Sequence, residues 1–160
     1  EVVERMNRGM DEAEVLADLD YPAELFDHPW MAPTYGCPDY IARDLYREEN
    51  GWWDRNPTTL HPAPPDQAAA AVLGALGDPA AVVARARELA DSGRVQLALH
   101  VIDLVALADG DEPVVAEART LKAELCRTRA DEVEPFVSKS CYRSSARLLD
   151  EGNTSWRNLP

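Results

Sequence analysis

From residue 66 onward, apolar residues recur at helical spacing, and polar punctuation cuts the pattern into five pieces. The first piece covers 66–76, with Val72, Leu73 and Leu76 apolar. Asp78-Pro79 couples a capping carboxylate to a proline whose missing amide hydrogen is no loss in a first turn. It predicts a helix over 79–92 carried by Val82, Ala86, Leu89 and Ala90. Ala98, Val101, Ile102 and Val105 mark the next over 94–108. Pro113 opens a fourth on Val114, Ala118, Leu121 and Leu125, and Pro135 a fifth on Val137, Cys141, Leu148 and Leu149. Spacings of three and four residues place each set on one helical face. No alternating run of β-branched residues marks a strand, so the predicted fold is all-α. Short connections make neighbouring helices antiparallel hairpins. The pair 79–92 and 94–108 follows part of a tetratricopeptide-like pattern, with small Ala86 and Gly93 where two helices approach closely.

The first 65 residues read differently. Asp11-x-x-Glu14 is a capping box ahead of Val15, Leu16 and Leu19, and Pro22 ends that helix. A short helical turn is predicted over 23–27, and Pro29 and Pro33 keep the following stretch extended or turning. Pro38 suits a first turn, and a helix lined by Tyr40, Ile41, Leu45 and Tyr46 should run to Asn50. Gly51 is its natural stop. Residues 52–65 read as a proline-rich irregular connection with two adjacent tryptophans, long enough to suggest a function or a packing partner.

Composition sharpens this division. Residues 1–65 hold 8 of the 12 prolines and 8 of the 11 aromatic residues, with a net charge of −9, whereas residues 66–160 carry −4. The total of −13 opposes contact with phosphate backbones or anionic lipid, so nucleic acid is not a predicted partner. No apolar run reaches the roughly 20 residues of a membrane span. No signal peptide is read; the compartment stays open, with the cytoplasm favoured and export allowed.

Candidate chemistry is sparse. His28, His61 and His100 are far apart and form no metal-ligand spacing, and Cys37, Cys126 and Cys141 form no CxxC. Ser138-Lys139-Ser140 lies on a helical pattern, where a solvated face explains it. No phosphate-cradling glycine loop and no nucleophile elbow occur. Neither a catalytic residue nor a metal or cofactor site is predicted within the chain. The aromatic surface of residues 35–57, Tyr40, Tyr46, Trp52 and Trp53 above all, exceeds what one small helix needs, which points either to core packing or to a protein contact.

At these residues the chain resembles the helical dimerisation domain of the alkyl sulfatase family, hydrolases with a metallo-β-lactamase fold. Asn7-Arg8-Gly9-Met10 is similar to the family's NRGM segment. Tyr35-Gly36, Tyr40, Arg43, Tyr46, Gly51-Trp52-Trp53-Asp54 and Asn56-Pro57 are similar to its YG…W…R…Y…GWFDGNP block, in register and without gaps. Three departures stand out. Arg55 occupies a position where the family usually has glycine, Tyr40 replaces a tryptophan, and Arg47-Glu48-Glu49-Asn50 is more polar than usual. Glycine at residue 55 would permit a positive φ; arginine there either reshapes the turn or gains a new contact.

The resemblance implies a linker over 1–10, a helical dimerisation domain over 11–152 and a tail over 153–160. It implies a homodimer, with the motif residues named above other than Met10, fourteen in all, as candidate interface. It also implies a partner domain, in cis or in trans, that binds two zinc ions through HxHxDH and cleaves alkyl sulfate esters. This chain has no HxHxDH, so the reading is of a non-catalytic scaffold. A free-standing tetratricopeptide-like adaptor for other proteins is the alternative.

Overall fold

The computed structural model describes residues 1–153. Among them are ten α-helices, one 3-10 turn and no strand: α1 Val2–Asn7, α2 Glu12–Asp18, α3 Ala23–Phe26, α4 Pro38–Asn50, α5 Pro57–Leu60, α6 Pro65–Ala75, α7 Pro79–Asp91, α8 Val95–Ala106, α9 Pro113–Glu132 and α10 Phe136–Asp150. The 3-10 turn is Pro29–Met31. The all-α expectation holds. Apart from Asn153, the tail expected over 153–160 lies outside the described residues.

The described residues form two compact units, one of residues 1–62 with 135–137, the other of residues 63–134 with 138–153. In the first, α1 and α2 pack on α4 around Val2, Val15, Ala42 and Tyr46, flanked by Met6, Met10, Leu16 and Leu19. The capping box of α2 forms as its sequence dictates. Asp11 Oδ1 accepts from the Glu14 amide at 2.8 Å, and Glu14 Oε2 accepts from the Asp11 amide at 2.9 Å. Arg5 ties α1 to the end of α2, donating from Nε to Asp18 Oδ2 at 2.8 Å and from Nη2 to the Asp18 carbonyl at 2.7 Å. Of the residues expected to line α4, Tyr46 is buried and Tyr40 half-buried, but Ile41 and Leu45 stay exposed and Ala42 is buried instead.

In the second unit α8 is central, with α6, α7 and α9 packed against it. Ile102, Val105 and Val115 have no exposed surface, and Ala86, Ala98, Ala106, Ala108 and Ala118 fill the gaps between them. Small side chains at these positions let the helix backbones approach closely, which is the physical content of the hairpin prediction. Lys122 Nζ meets Asp103 Oδ1 at 2.7 Å across α8 and α9, and the Arg119 guanidinium donates to the Ala108 carbonyl at 2.6 Å beyond the end of α8. In the last helix Leu148 is buried and Leu149 partly buried, as expected, whereas Val137 and Cys141 are exposed and Ala146 is buried instead. The connection read as irregular over 52–65 contains one further turn, α5, with Pro57 in its first turn and the Asn56 side chain accepting from the Thr58 amide at 3.1 Å.

Candidate functional site

Asn7, Arg8 and Gly9 close α1. The Gly9 amide donates to the Met6 carbonyl at 2.9 Å and the Met10 amide to the Arg5 carbonyl at 3.3 Å, with Gly9 at φ +88°. This paired closure requires a left-handed residue after the cap, and glycine takes it without a Cβ penalty. The segment is thus a chain reversal that delivers Asp11 to the start of α2. The Met10 carbonyl then accepts from Tyr46 Oη at 3.4 Å, linking the first block of named residues to the second.

Within the second block, α4 supplies three anchors. Arg43 and Arg47 lie one turn apart and share the carboxylate of Glu12, at 3.0 and 3.2 Å, so α4 is tied to α2 by a single acid. Tyr46 is buried and Tyr40 half-buried. Tyr35 is 75% exposed, meets the Phe136 ring edge-on at 5.9 Å, and is followed by exposed Gly36.

Gly51, at φ +76°, ends α4 and starts a loop whose polar groups satisfy one another. Asn50 Nδ2 donates to the Trp53 carbonyl at 2.6 Å, and Trp53 Nε1 donates to the Asn56 carbonyl at 3.0 Å. Asp54 Oδ1 accepts from the Asn56 amide at 2.9 Å and from Thr59 Oγ1. The Thr59 hydroxyl and then the Asn56 amide hold the Asp54 carboxyl below the usual carboxylate range. Arg55 has φ +67°, the one non-glycine residue with positive φ among those described. Such a conformation costs a residue with a Cβ about 1–2 kcal/mol and persists only where its surroundings fix it. Here the guanidinium grips Asn50 Oδ1 from Nε at 3.0 Å and from Nη2 at 2.7 Å. The arginine therefore keeps the turn that glycine would make and adds a contact. Asn50, the hub of the loop, is a residue that sequence reasoning passed over as merely polar.

Trp52 stands apart from this network at 77% exposed, whereas Trp53 is half-buried. A groove of about 460 Å³ lies beneath them, lined by Asp11, Glu12, Tyr46, Asn50, Trp52 and Trp53. The named residues of α1, α4 and the loop thus converge on one unit, with Tyr35, Gly36 and Trp52 facing outward.

No three His, Cys, Asp or Glu residues among those described come together as a metal would require. The resemblance assigns its zinc pair to a partner domain, through an HxHxDH motif that this sequence does not contain. His28 is instead stacked on Trp30, centroids 4.8 Å apart. Burial pushes the Cys126 thiol up, away from the thiolate that nucleophilic chemistry uses. Among the described residues no single helix is long and apolar enough to cross a membrane.

The family model described as alkyl sulfatase dimerisation matches residues 11–152. The chain belongs to the alkyl sulfatase dimerisation family. Among its curated relatives, an (R)-specific secondary-alkylsulfatase of Pseudomonas sp is 29% identical over 149 residues, covering 92% of this chain and 22% of that protein. The alkyl/aryl-sulfatase BDS1 of Saccharomyces cerevisiae is 26% identical over 147 residues, with the same coverage of 92% and 22%. Among solved structures, the stereoselective inverting sec-alkylsulfatase Pisa1 from Pseudomonas sp. superposes with a TM-score of 0.81 at 26% identity, over 94% of this chain and 24% of that one. The chain spans about a fifth of the length of the curated relatives it matches.

Proposed function

We propose that this chain is a self-association module, whose homodimer pairs zinc-dependent alkyl sulfate ester hydrolase domains with the metallo-β-lactamase fold. The observation that carries the reading is the family match over 11–152, in a chain whose motif loop holds a tryptophan 77% exposed. Charge alone would keep two copies apart, since each carries −13. Association therefore has to rest on apolar and aromatic burial, and an obligate contact of this kind covers about 2,000 Å² or more. Two-fold symmetry would bring the same patch of each copy together. Pairing fixes two catalytic domains relative to each other and helps wall off an alkyl-chain entrance. The fourteen motif residues take part as two classes: Tyr35, Gly36, Trp52 and their neighbours at the contact, the remainder shaping it from beneath.

In this reading hydrolysis belongs to the domain that holds the zinc ions and the chain itself turns over no ester. Sedimentation equilibrium of the 160-residue chain should give a dimer, and Trp52→Ala should raise its dissociation constant at least about 30-fold, the cost of losing a central aromatic anchor. A monomer at all concentrations, or zinc-dependent sulfate ester turnover by this chain alone, would overturn the respective half of the reading.

A further inference from the structure

We propose that Arg55 is a positioning residue for self-association, clamping the loop after α4 so that Trp52 is held out as a preformed contact for a second copy of this chain. The inference rests on the homodimer reading and deepens it.

Three observations meet in one loop. Arg55 holds a left-handed backbone, φ +67°, that an arginine adopts only under constraint. The constraint is visible: both prongs of the guanidinium close on Asn50 Oδ1, at 3.0 and 2.7 Å, so the loop is pinned back onto the last turn of α4. Asn50 in turn binds the Trp53 carbonyl, and Trp53 binds the Asn56 carbonyl, so backbone on both sides of Asp54 is fixed. None of these bonds involves the Trp52 ring, and Trp52 remains 77% exposed in the middle of this hydrogen-bonded loop. A loop that only had to reverse the chain would need neither a strained arginine nor an aromatic ring facing outward. A loop that presents an anchor gains from rigidity, because ordering entropy is then spent in folding and no longer opposes association. The second copy is the occupant favoured by charge as well: a neutral indole is the kind of contact two chains of −13 can share.

The test is a cycle of variants of the 160-residue chain, read by sedimentation, by thermal unfolding and by exchange of the Thr58 amide. R55A is expected to weaken the dimer about tenfold and to speed Thr58 exchange, with the thermal midpoint nearly unchanged, since Arg55 is an exposed loop residue. N50A, which removes the acceptor instead of the donor, should do the same. R55G takes the left-handed backbone freely but cannot grip Asn50, and it too should weaken association. W52A combined with R55A should be no worse than W52A alone, the signature of one residue acting through the other. Wild-type-like association of R55A and N50A, or additive losses in the double variant, overturns the positioning role while leaving the homodimer intact. A wild-type chain that stays monomeric up to about 100 µM overturns both.

Discussion

At the scale of single residues, the bonds that shape unit one are local and individually testable. Tyr21 donates from Oη to Asp39 Oδ1 at 3.1 Å, and burial together with that bond raises the phenol to about 12. A folded-state value above the unfolded one means the folded chain keeps its proton longer. The contribution is complete below the ordinary phenol value near 10 and is lost as pH climbs towards 12. Y21F should therefore flatten the loss of stability between those limits, as seen in denaturant midpoints measured across alkaline pH. Gly9 offers a cleaner case. A Cβ there would meet nothing within 4 Å, so any cost of Gly9→Ala is conformational. The expected loss is about 1 kcal/mol, measured by urea unfolding, and a result near zero would show that φ +88° is not held in solution.

At the scale of elements, what the sequence revealed and what it concealed have the same cause. Proline and glycine punctuation placed the ends of α4, α7 and α9 because those residues restrict or free the backbone irrespective of tertiary context. Helix faces were less legible. The apolar pattern lines α4 with Tyr40, Ile41, Leu45 and Tyr46; Tyr46 is packed as that pattern predicts, but Ile41 and Leu45 are exposed and Ala42 is buried in their stead. The same pattern placed Val137 and Cys141 inside α10 in place of Ala146. Alanine in a helix is equally suited to a core or a surface, and only the neighbouring helix decides. The six residues of α1 carry too little periodicity to announce a helix, and α5 hides among prolines. The site followed the same division. Its aromatic residues and glycines were visible as a block, whereas Asn50, which ties the loop together, carries no pattern at all. A direct check of the faces contrasts two isoleucines. Ile102→Ala, with no exposed surface, should cost about 2–5 kcal/mol in chemical denaturation. Ile41→Ala, 64% exposed, should stay within about 0.5 kcal/mol, unless a partner covers it.

At the scale of the whole molecule, a charge of −13 makes association sensitive to ionic strength in a diagnostic direction. Contacts built on opposite charges weaken as salt is added, because each attraction is screened. Two chains of the same sign that meet through apolar and aromatic surface behave the other way, since salt screens their mutual repulsion. For the homodimer proposed above, the dissociation constant is accordingly expected to fall as sodium chloride is raised from about 0.02 to 0.5 M, in the range where the screening length shrinks from over 20 Å to under 5 Å. A rising constant would place ion pairs at the contact instead of indoles.

The small side chains that bring α7, α8 and α9 together carry a thermal consequence. Ten of the 24 buried apolar residues among those described are alanines. Each shields little hydrocarbon from water, so unfolding exposes less new apolar surface than a core of leucine and phenylalanine would. Heat capacity follows that surface, and the increment on unfolding should lie below the usual 12–15 cal/mol/K per residue (an approximate range). A smaller increment flattens the dependence of stability on temperature. Such a molecule loses stability slowly on either side of its optimum, which would let its helices keep their packing across a wide span of temperatures.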